Sequence, residues 1–295
     1  MTAIPEVGRR SPSRNIHHCA GVGIAAEVLQ HKELLCRRLA SAMPSVIVVM
    51  QGAKTVRNGA RLIEAGAGDI VLVPAVVPLD VINRPDRHGN YRAFALSFEP
   101  SFIRELHEEN GHAVSGAEFL RSPPVGLVKA IETAMSALAD NDLPHRVIAS
   151  RVGEVILWLS SLGYHFTAPV SSNPVDRVRV ALASDPAHNW KACQVAAMVN
   201  MSEASLRRRF AAANSSLTEM LIDIRMSAAL ALLQSTDKPV TTIALEVGYD
   251  SASRFSARFR ARFNFSPTEL RSKRGTFDRI GTKYDRERTA MTDTQ

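Results

Sequence analysis

The chain has 295 residues, 45% of them hydrophobic, which is material for two packed domains and excludes a wholly disordered polypeptide. Residues 1–173 carry 17 Lys+Arg against 16 Asp+Glu and residues 174–295 carry 19 against 13, so nearly all of the net +7 sits on the second part, as a nucleic-acid footprint should. Cys19, Cys36 and Cys193 form no Cys-x-x-Cys pair, which argues against a disulfide framework or a structural zinc site and fits a reducing cytoplasm.

Residues 1–15 are polar, carry Arg9, Arg10 and Arg14, and read as a flexible arm without the apolar core of a signal peptide. No run approaches the roughly 18 apolar residues of a membrane span, so no membrane partner is expected. From about 22 to 98 strand signals dominate. Val46–Met50 is a β-branched run, and Asn58-Gly59 marks a hairpin between Lys54–Val56 and Arg61–Ile63. Gly66-Ala67-Gly68-Asp69 leads into Ile70–Pro74, and Tyr91–Phe98 alternates as a further strand. Short strands separated by Gly and Pro predict a sandwich or small barrel.

Beyond Pro100 the periodicity becomes helical, over Phe102–Glu109, Val125–Leu138 and Arg146–Leu162. The apolar stripe of the last either closes the sheet domain or forms a homodimer seam. Thr167–Pro174 is small, polar and Pro-bounded, hence a linker. The expected organisation is an α+β multidomain chain: arm 1–15, regulatory or dimerisation domain 16–165, linker 166–174, helical DNA-binding domain 175–273 and flexible tail 274–295.

The second part repeats itself. Val195–Ser202, followed by Leu206 and Arg209-Phe210, matches Ile243–Asp250, followed by Phe255 and Arg258-Phe259. The offset is 48 residues up to the turn and 49 after it. Each copy is a helix-turn-helix, placed at 192–213 and 240–263. The bracing helix needs small residues at a close crossing, supplied by Ala196-Ala197 and Ala244. The turn needs tolerance of positive φ, met by Gly248 and, next best, by Asn200. Ser202 caps the helix that follows.

On the first recognition helix Leu206 and Phe210 face inward, which turns Ala204 and Arg208 outward with Ser205 and Arg207 beside them. Arginine bonds bidentately to guanine O6 and N7, so Arg207 and Arg208 are the leading base readers, and Arg209 is a phosphate contact. In the second copy Phe255 and Phe259 face inward, Ser253 and Ala257 point outward, and Arg254 and Ser256 flank them. Arg258, Arg260 and Arg262 are expected to clamp phosphate. Leu217–Gln234 joins the copies, with Leu221, Ile224, Ala228, Leu232 and Leu233 expected on its apolar side. Its eighteen residues span about 27 Å, which suits two adjacent major grooves. Ser266-Pro267-Thr268-Glu269 closes the domain as a capping box.

These residues resemble the AraC/XylS family of bacterial transcription regulators over about 174–273. The resemblance includes Arg225-x-x-x-Ala229-x-x-Leu232-Leu233 and the ending Phe259-x-x-x-Phe263-Asn264-Phe265-Ser266-Pro267. Asparagine stands where the family usually has glycine at Asn200, Asn214 and Asn264, each at a turn or helix end. The family's base-reading positions fall on Ala204, Arg207 and Arg208, and on Ala252, Ser253, Arg254, Ser256 and Ala257. The strand-rich first part is similar to the family's cupin-like effector domains. The resemblance implies a sequence-specific regulator, expected to be an activator, whose partners are double-stranded DNA, RNA polymerase and a small-molecule effector. The effector's site is not assigned by the sequence.

Two other readings compete. A cupin metalloenzyme fused to a DNA-binding tail would need His-x-His, Glu and His on one metal. No histidine follows Gly68-Asp69; His17-His18 and Cys19 are adjacent rather than spaced for one site, and His107 and His112 fall in a polar stretch. No catalytic residue, metal or cofactor is therefore expected. A fused alkyltransferase would need an activated thiol, and Cys36 beside Arg37-Arg38 is the candidate, read more simply as an ordinary half-buried cysteine. A non-specific nucleoid protein would bind backbone or minor groove without base discrimination.

Overall fold

The computed structural model describes residues 16–59, 61–106, 111–167 and 173–272; the expected arm, the tail and residues 168–172 of the linker lie outside the described residues. The strands come first: β1 (Ile16–Cys19), β2 (Gly23–Gln30), β3 (Leu34–Leu39), β4 (Ser45–Gln51) and β5 (Ala53–Asn58). β6 (Arg61–Ala65), β7 (Ile70–Val73), β8 (Leu79–Arg84) and β9 (Tyr91–Phe98) complete the run. α1 (Pro100–Leu106), β10 (His112–Ala113), β11 (Glu118–Leu120), α2 (Val125–Ala139), α3 (His145–Ser161) and β12 (Tyr164–His165) follow.

Two sheets face each other, one ordered β1-β2-β9-β4-β7-β11 and the other β3-β8-β5-β6. Between them pack Val49, Val56, Ile63, Val71, Leu79, Tyr91 and Ala93. On the other face of the larger sheet, Val46, Val48, Ile70, Leu72, Leu96 and Phe98 meet α1, α2 and α3. β4 and β7 are thus covered on both faces, which is why they read as continuous apolar runs rather than alternating ones. The β5–β6 hairpin pairs Asn58 with Arg61, so Asn58 ends a strand and Gly59, with φ +60°, begins the turn.

Ile148, Val152, Val155, Ile156 and Leu159 of α3 are all buried in that core. Of the two destinations open to this stripe, its buried residues take the first and close the sheet domain, and Val147 and Leu157 remain as exposed large apolar side chains on this helix. Phe166, assigned above to the linker, is 4% exposed and belongs to the same core.

The second part is helical: α4 (Pro174–Ser184), α5 (Ala192–Met198), α6 (Glu203–Ala212), α7 (Leu217–Ser235), α8 (Val240–Glu246), α9 (Ala252–Phe263) and α10 (Pro267–Arg271). One core gathers α4, α5 and α6 on the first half of α7, through Val178, Leu182, Val195, Leu206, Phe210, Met220 and Ile224. A second gathers α8, α9 and α10 on its other half, around Leu230, Leu233, Ile243, Phe255, Phe259 and Phe263. Cys36 of β3 is buried in this second core, with Leu34 and Leu39 against it. Because α7 also packs on β2 and β3, its buried set is broader than the single stripe expected: Met226, Ala229, Leu230 and Gln234 are covered, while Leu221, Ala228 and Leu232 are half-buried. Arg271 ties off its end, donating to the carbonyl of Leu233 in its last turn, which the helix leaves without a partner, and to those of Thr236 and Lys238 just beyond it.

Candidate nucleic-acid interface

Both helix-turn-helix copies close in the same way. Met201 N–H donates back to Ala196 C=O at 3.0 Å and Tyr249 N–H to Ala244 C=O at 2.9 Å, a helix-ending bond that forces the intervening residue into the left-handed region. Asn200 takes φ +56° and Gly248 +81°. Asn214 and Asn264 are likewise left-handed, at +48° and +64°, so all three asparagines stand where glycine would otherwise be asked for. Gly248 has a further reason to be glycine: a Cβ there would lie 2.9 Å from the Ala187 carbonyl oxygen. Ala196 and Ala244 are buried at the helix crossings as expected; Ala197 is exposed and takes no part in the brace.

Each recognition helix starts on a serine. Ser202 Oγ accepts from Ser205 N at 3.2 Å and Ser251 Oγ from Arg254 N at 3.4 Å. Ser266 and Glu269 form the reciprocal capping box at α10, which holds the Glu269 carboxyl below its ordinary range through the Ser266 backbone and hydroxyl bonds.

On α6, Leu206 and Phe210 are buried while Ala204, Arg207, Arg208 and Arg209 are exposed. Ser205 is half-buried and already engaged: its Oγ accepts from Ser202 Oγ at 3.0 Å and from Arg208 Nη2 at 3.1 Å. Ser205 therefore orients Arg208 along the exposed face. On α9, Phe255, Phe259 and Phe263 are buried in a chain of ring contacts, with Ser253, Arg254, Ala257 and Arg258 exposed and Ala252 and Ser256 half-buried. Arg254, Ala257, Arg258 and Ala261 line an open depression of about 700 Å³ together with Gly248, Tyr249 and Asp250. Asp250 and Ala261 were not singled out by the sequence, because membership of this face depends on how the turn folds over α9.

The phosphate-clamp assignment needs one correction. Arg262 is 14% exposed and its Nε donates to Asp223 Oδ1 at 2.7 Å, with Nη2 donating to Arg38 C=O at 3.4 Å. It secures α9 to α7 and to β3 and is not presented to DNA. Arg260 is 60% exposed and pairs with Glu269 at 2.9 Å. Arg258 is exposed at the rim of the depression.

The residues weighed for enzyme chemistry lie apart. His18 on β1 faces Glu99 at 3.5 Å, and His112 on β10 faces Glu118 at 3.5 Å; His107 falls outside the described residues. Among the described residues no three His, Cys, Asp or Glu side chains gather as a metal-binding group. Cys36 is fully buried rather than half-buried, and burial pushes its thiol up to about 12, opposed by Lys54 and Arg262, so it is no activated nucleophile. No helix among the described residues is long and apolar enough to cross a membrane.

Comparison with known proteins agrees with this geometry. Residues 45–152 match the AraC-like ligand binding domain, and residues 195–273 match a helix-turn-helix domain family. Transcriptional activator PerA of Escherichia coli O127:H6 is 33% identical over 97 residues, 33% of this chain and 35% of PerA. Transcriptional regulator SirC of Salmonella typhimurium is 33% identical over 92 residues, 31% of each chain. The chain thus aligns with about a third of the length of these relatives. In overall fold it is similar to ToxT of Vibrio cholerae, with a TM-score of 0.61 at 13% identity, covering 85% of this chain and 95% of that one. The chain thus carries an AraC-like ligand binding domain over residues 45–152 followed by a helix-turn-helix domain over residues 195–273, the domain order that the resemblance to the AraC/XylS family implies.

Proposed function

We propose that the protein is a sequence-specific transcription regulator, expected to be an activator, that reads two successive major-groove segments of DNA with α6 and α9. The observation that carries this is the pair of serine-capped helices, each with its aromatic or leucine face buried and its arginine face exposed, mounted on one α7 about 28 Å long. Arg207 and Arg208 read bases in the first segment, with Ala204 and Ser205 beside them. Ser253, Arg254, Ser256 and Ala257 serve the second. Arg209, Arg258 and Arg260 hold phosphate. Selection of binding sites from random duplexes, with affinity then measured on the selected and a scrambled duplex at fixed salt, tests this. A specificity ratio of 10³ or more is in the range of specific regulators; a ratio near one would mean a non-specific architectural protein.

The N-terminal domain is the regulatory part, without catalytic turnover, and the protein acts in the cytoplasm, where it meets RNA polymerase. ToxT is described as bound to an unsaturated fatty acid. By that precedent an amphiphilic carboxylate is the effector class for this chain, and Lys54, the buried cationic side chain among the described residues, is the group suited to its head. A rise in melting temperature with oleate that disappears in Lys54→Met supports this; no shift in the wild type counts against it. A homodimer would use what α2 and α3 leave exposed, Val125, Val147 and Leu157. Sedimentation of the wild type against Leu157→Lys checks that seam.

A further inference from the structure

The two reading heads are built on separate cores, and α7 alone would leave their relative attitude to the stiffness of one helix. A second connection exists. The loop between α4 and α5 is a compact knot: His188 N–H donates to Asp185 Oδ1 at 3.1 Å, Trp190 Nε1 donates to Asp185 C=O at 2.9 Å, and the His188 and Trp190 rings lie 4.4 Å apart. From the middle of α7, Arg225 reaches into this knot, with Nε donating to Pro186 C=O at 2.8 Å and Nη2 to His188 C=O at 3.1 Å. The same guanidinium lies 5.7 Å from the centre of the Tyr249 ring, in the turn of the second head. Gly248, beside it, approaches so closely that a Cβ would sit 2.9 Å from both Ala187 O and Arg225 Nη2.

We infer that Arg225 is a positioning residue that fixes the angle and separation of α6 and α9, and thereby the half-site spacing the protein accepts. A loop of the first unit, the spacer helix and the turn of the second unit meet on one planar group. Arginine suits this joint because its rigid fork serves two carbonyls while its face lies on a ring; a lysine ammonium offers neither the fork nor the plane. With those donors committed to carbonyl oxygens, the side chain acts through geometry and not by touching DNA. The inference rests on the two-groove reading above.

The test uses the full chain and a duplex selected from a random pool by the wild type, with its two half-sites mapped by footprinting. Dissociation constants are measured on duplexes in which the half-sites are moved by one or two base pairs either way. Each base pair added rotates one half-site against the other by about 34°, from the 10–10.5 base pairs of a helical turn. The wild type is expected to lose tenfold or more per displaced base pair. Arg225→Ala is expected to bind the best spacing several-fold more weakly and the misplaced ones almost as before, flattening the profile, with Arg225→Lys intermediate. Tyr249→Leu, which removes the ring and leaves both carbonyl bonds, should flatten it in the same direction; it decides the matter alone if Arg225→Ala does not fold by circular dichroism. A profile in the folded variants as sharp as the wild type's, or an equal loss at every spacing, overturns the inference and leaves the two-groove reading standing. A wild type indifferent to spacing overturns both.

Discussion

Arg208 and Arg262 lie on equivalent helices and have the same chemistry, yet their surroundings assign them opposite work. Arg208 is exposed and held on its face by Ser205, free to reach a base edge. Arg208→Ala should relax base preference at one position of the first half-site, at a cost of about 1–3 kcal/mol there. Uniform weakening on every sequence, with the salt slope reduced by about one, would instead make it a phosphate contact. Arg262, bonded to Asp223 and largely covered, should show the reverse. Arg262→Ala is expected to lower folding stability by roughly 1.5–3 kcal/mol, as for a charged hydrogen bond, and to leave the salt slope of binding unchanged. Deeper in the N-terminal domain, Lys54 and Cys36 make a pair of opposed titrations. Burial lowers Lys54 from 10.5 to about 8, against a rise favoured by Cys36. Between those values the unfolded chain holds a proton the folded one has lost, so stability rises with pH. Burial raises Cys36 from 9.0 to about 12, so from pH 9 upward the folded chain keeps a proton the unfolded one releases, and stability falls. From pH 8 to 9 the lysine acts alone and should contribute about 1 kcal/mol. Urea midpoints that rise over this interval in the wild type, stay flat in Lys54→Met, and keep rising above pH 9 in Cys36→Ala would establish both; a flat wild type would sink the assignment.

Between the elements, α6 and α9 present unequal exposed faces on similar mounts. The exposed face of α6 carries three consecutive arginines, whereas the depression along α9 is lined by Ala257 and Ala261 together with Arg254 and Arg258. Short apolar tips reach a thymine methyl but make no bidentate bond. The second half-site should therefore tolerate more base changes than the first, with a preference for thymine opposite Ala257. Saturation mutagenesis of the operator checks this, and equal or stronger constraint under α9 would count against it. What the sequence made visible here is what neighbours in the chain decide. Serine caps, asparagines at left-handed helix ends and inward phenylalanines four residues apart all follow from rules that span a single turn. Arg262 was misread because its partner Asp223 lies 39 residues away and its other contact, Arg38, 224 away. Arg225 was visible as part of a motif, but its function is not, since the carbonyls it grips belong to a loop 37 to 39 residues upstream. The stripe of α3 left two destinations open for the same reason: periodicity shows that a face is covered and not by what.

Across the whole molecule the N-terminal domain sends apolar side chains into the core of the second helix-turn-helix unit and none into that of the first. β3 supplies Cys36, Leu34 and Leu39 to the core of the second unit, whereas the core of the first contains no residue before Val175. A polar seam runs alongside: Gln234 Nε2 donates to Gln30 Oε1 at 2.7 Å, Gln30 bonds Asn83, and Lys54 donates to Asn83 Oδ1 at 2.9 Å, all buried. At the edge of β3 a bulge puts Arg38 in the left-handed region at φ +50°, with its N–H on Asp80 and its guanidinium 3.6 Å from Asp223. A change in the N-terminal domain thus has a direct mechanical route to α9 through β3 and α7, and a less direct one to α6. The consequence is measurable in the intact chain. Cys36→Lys would place a further cation in this seam beside Lys54 and Arg262, where a buried like charge is strongly disfavoured. Hydrogen exchange should then quicken across α8, α9 and α10, by one to two orders of magnitude for about 1.4–2.8 kcal/mol of lost protection, while α4, α5 and α6 exchange as in the wild type. Loss of protection spread evenly over both units would mean that the helical domain responds as a single body, and that the grip of β3 on the second head has no separate effect.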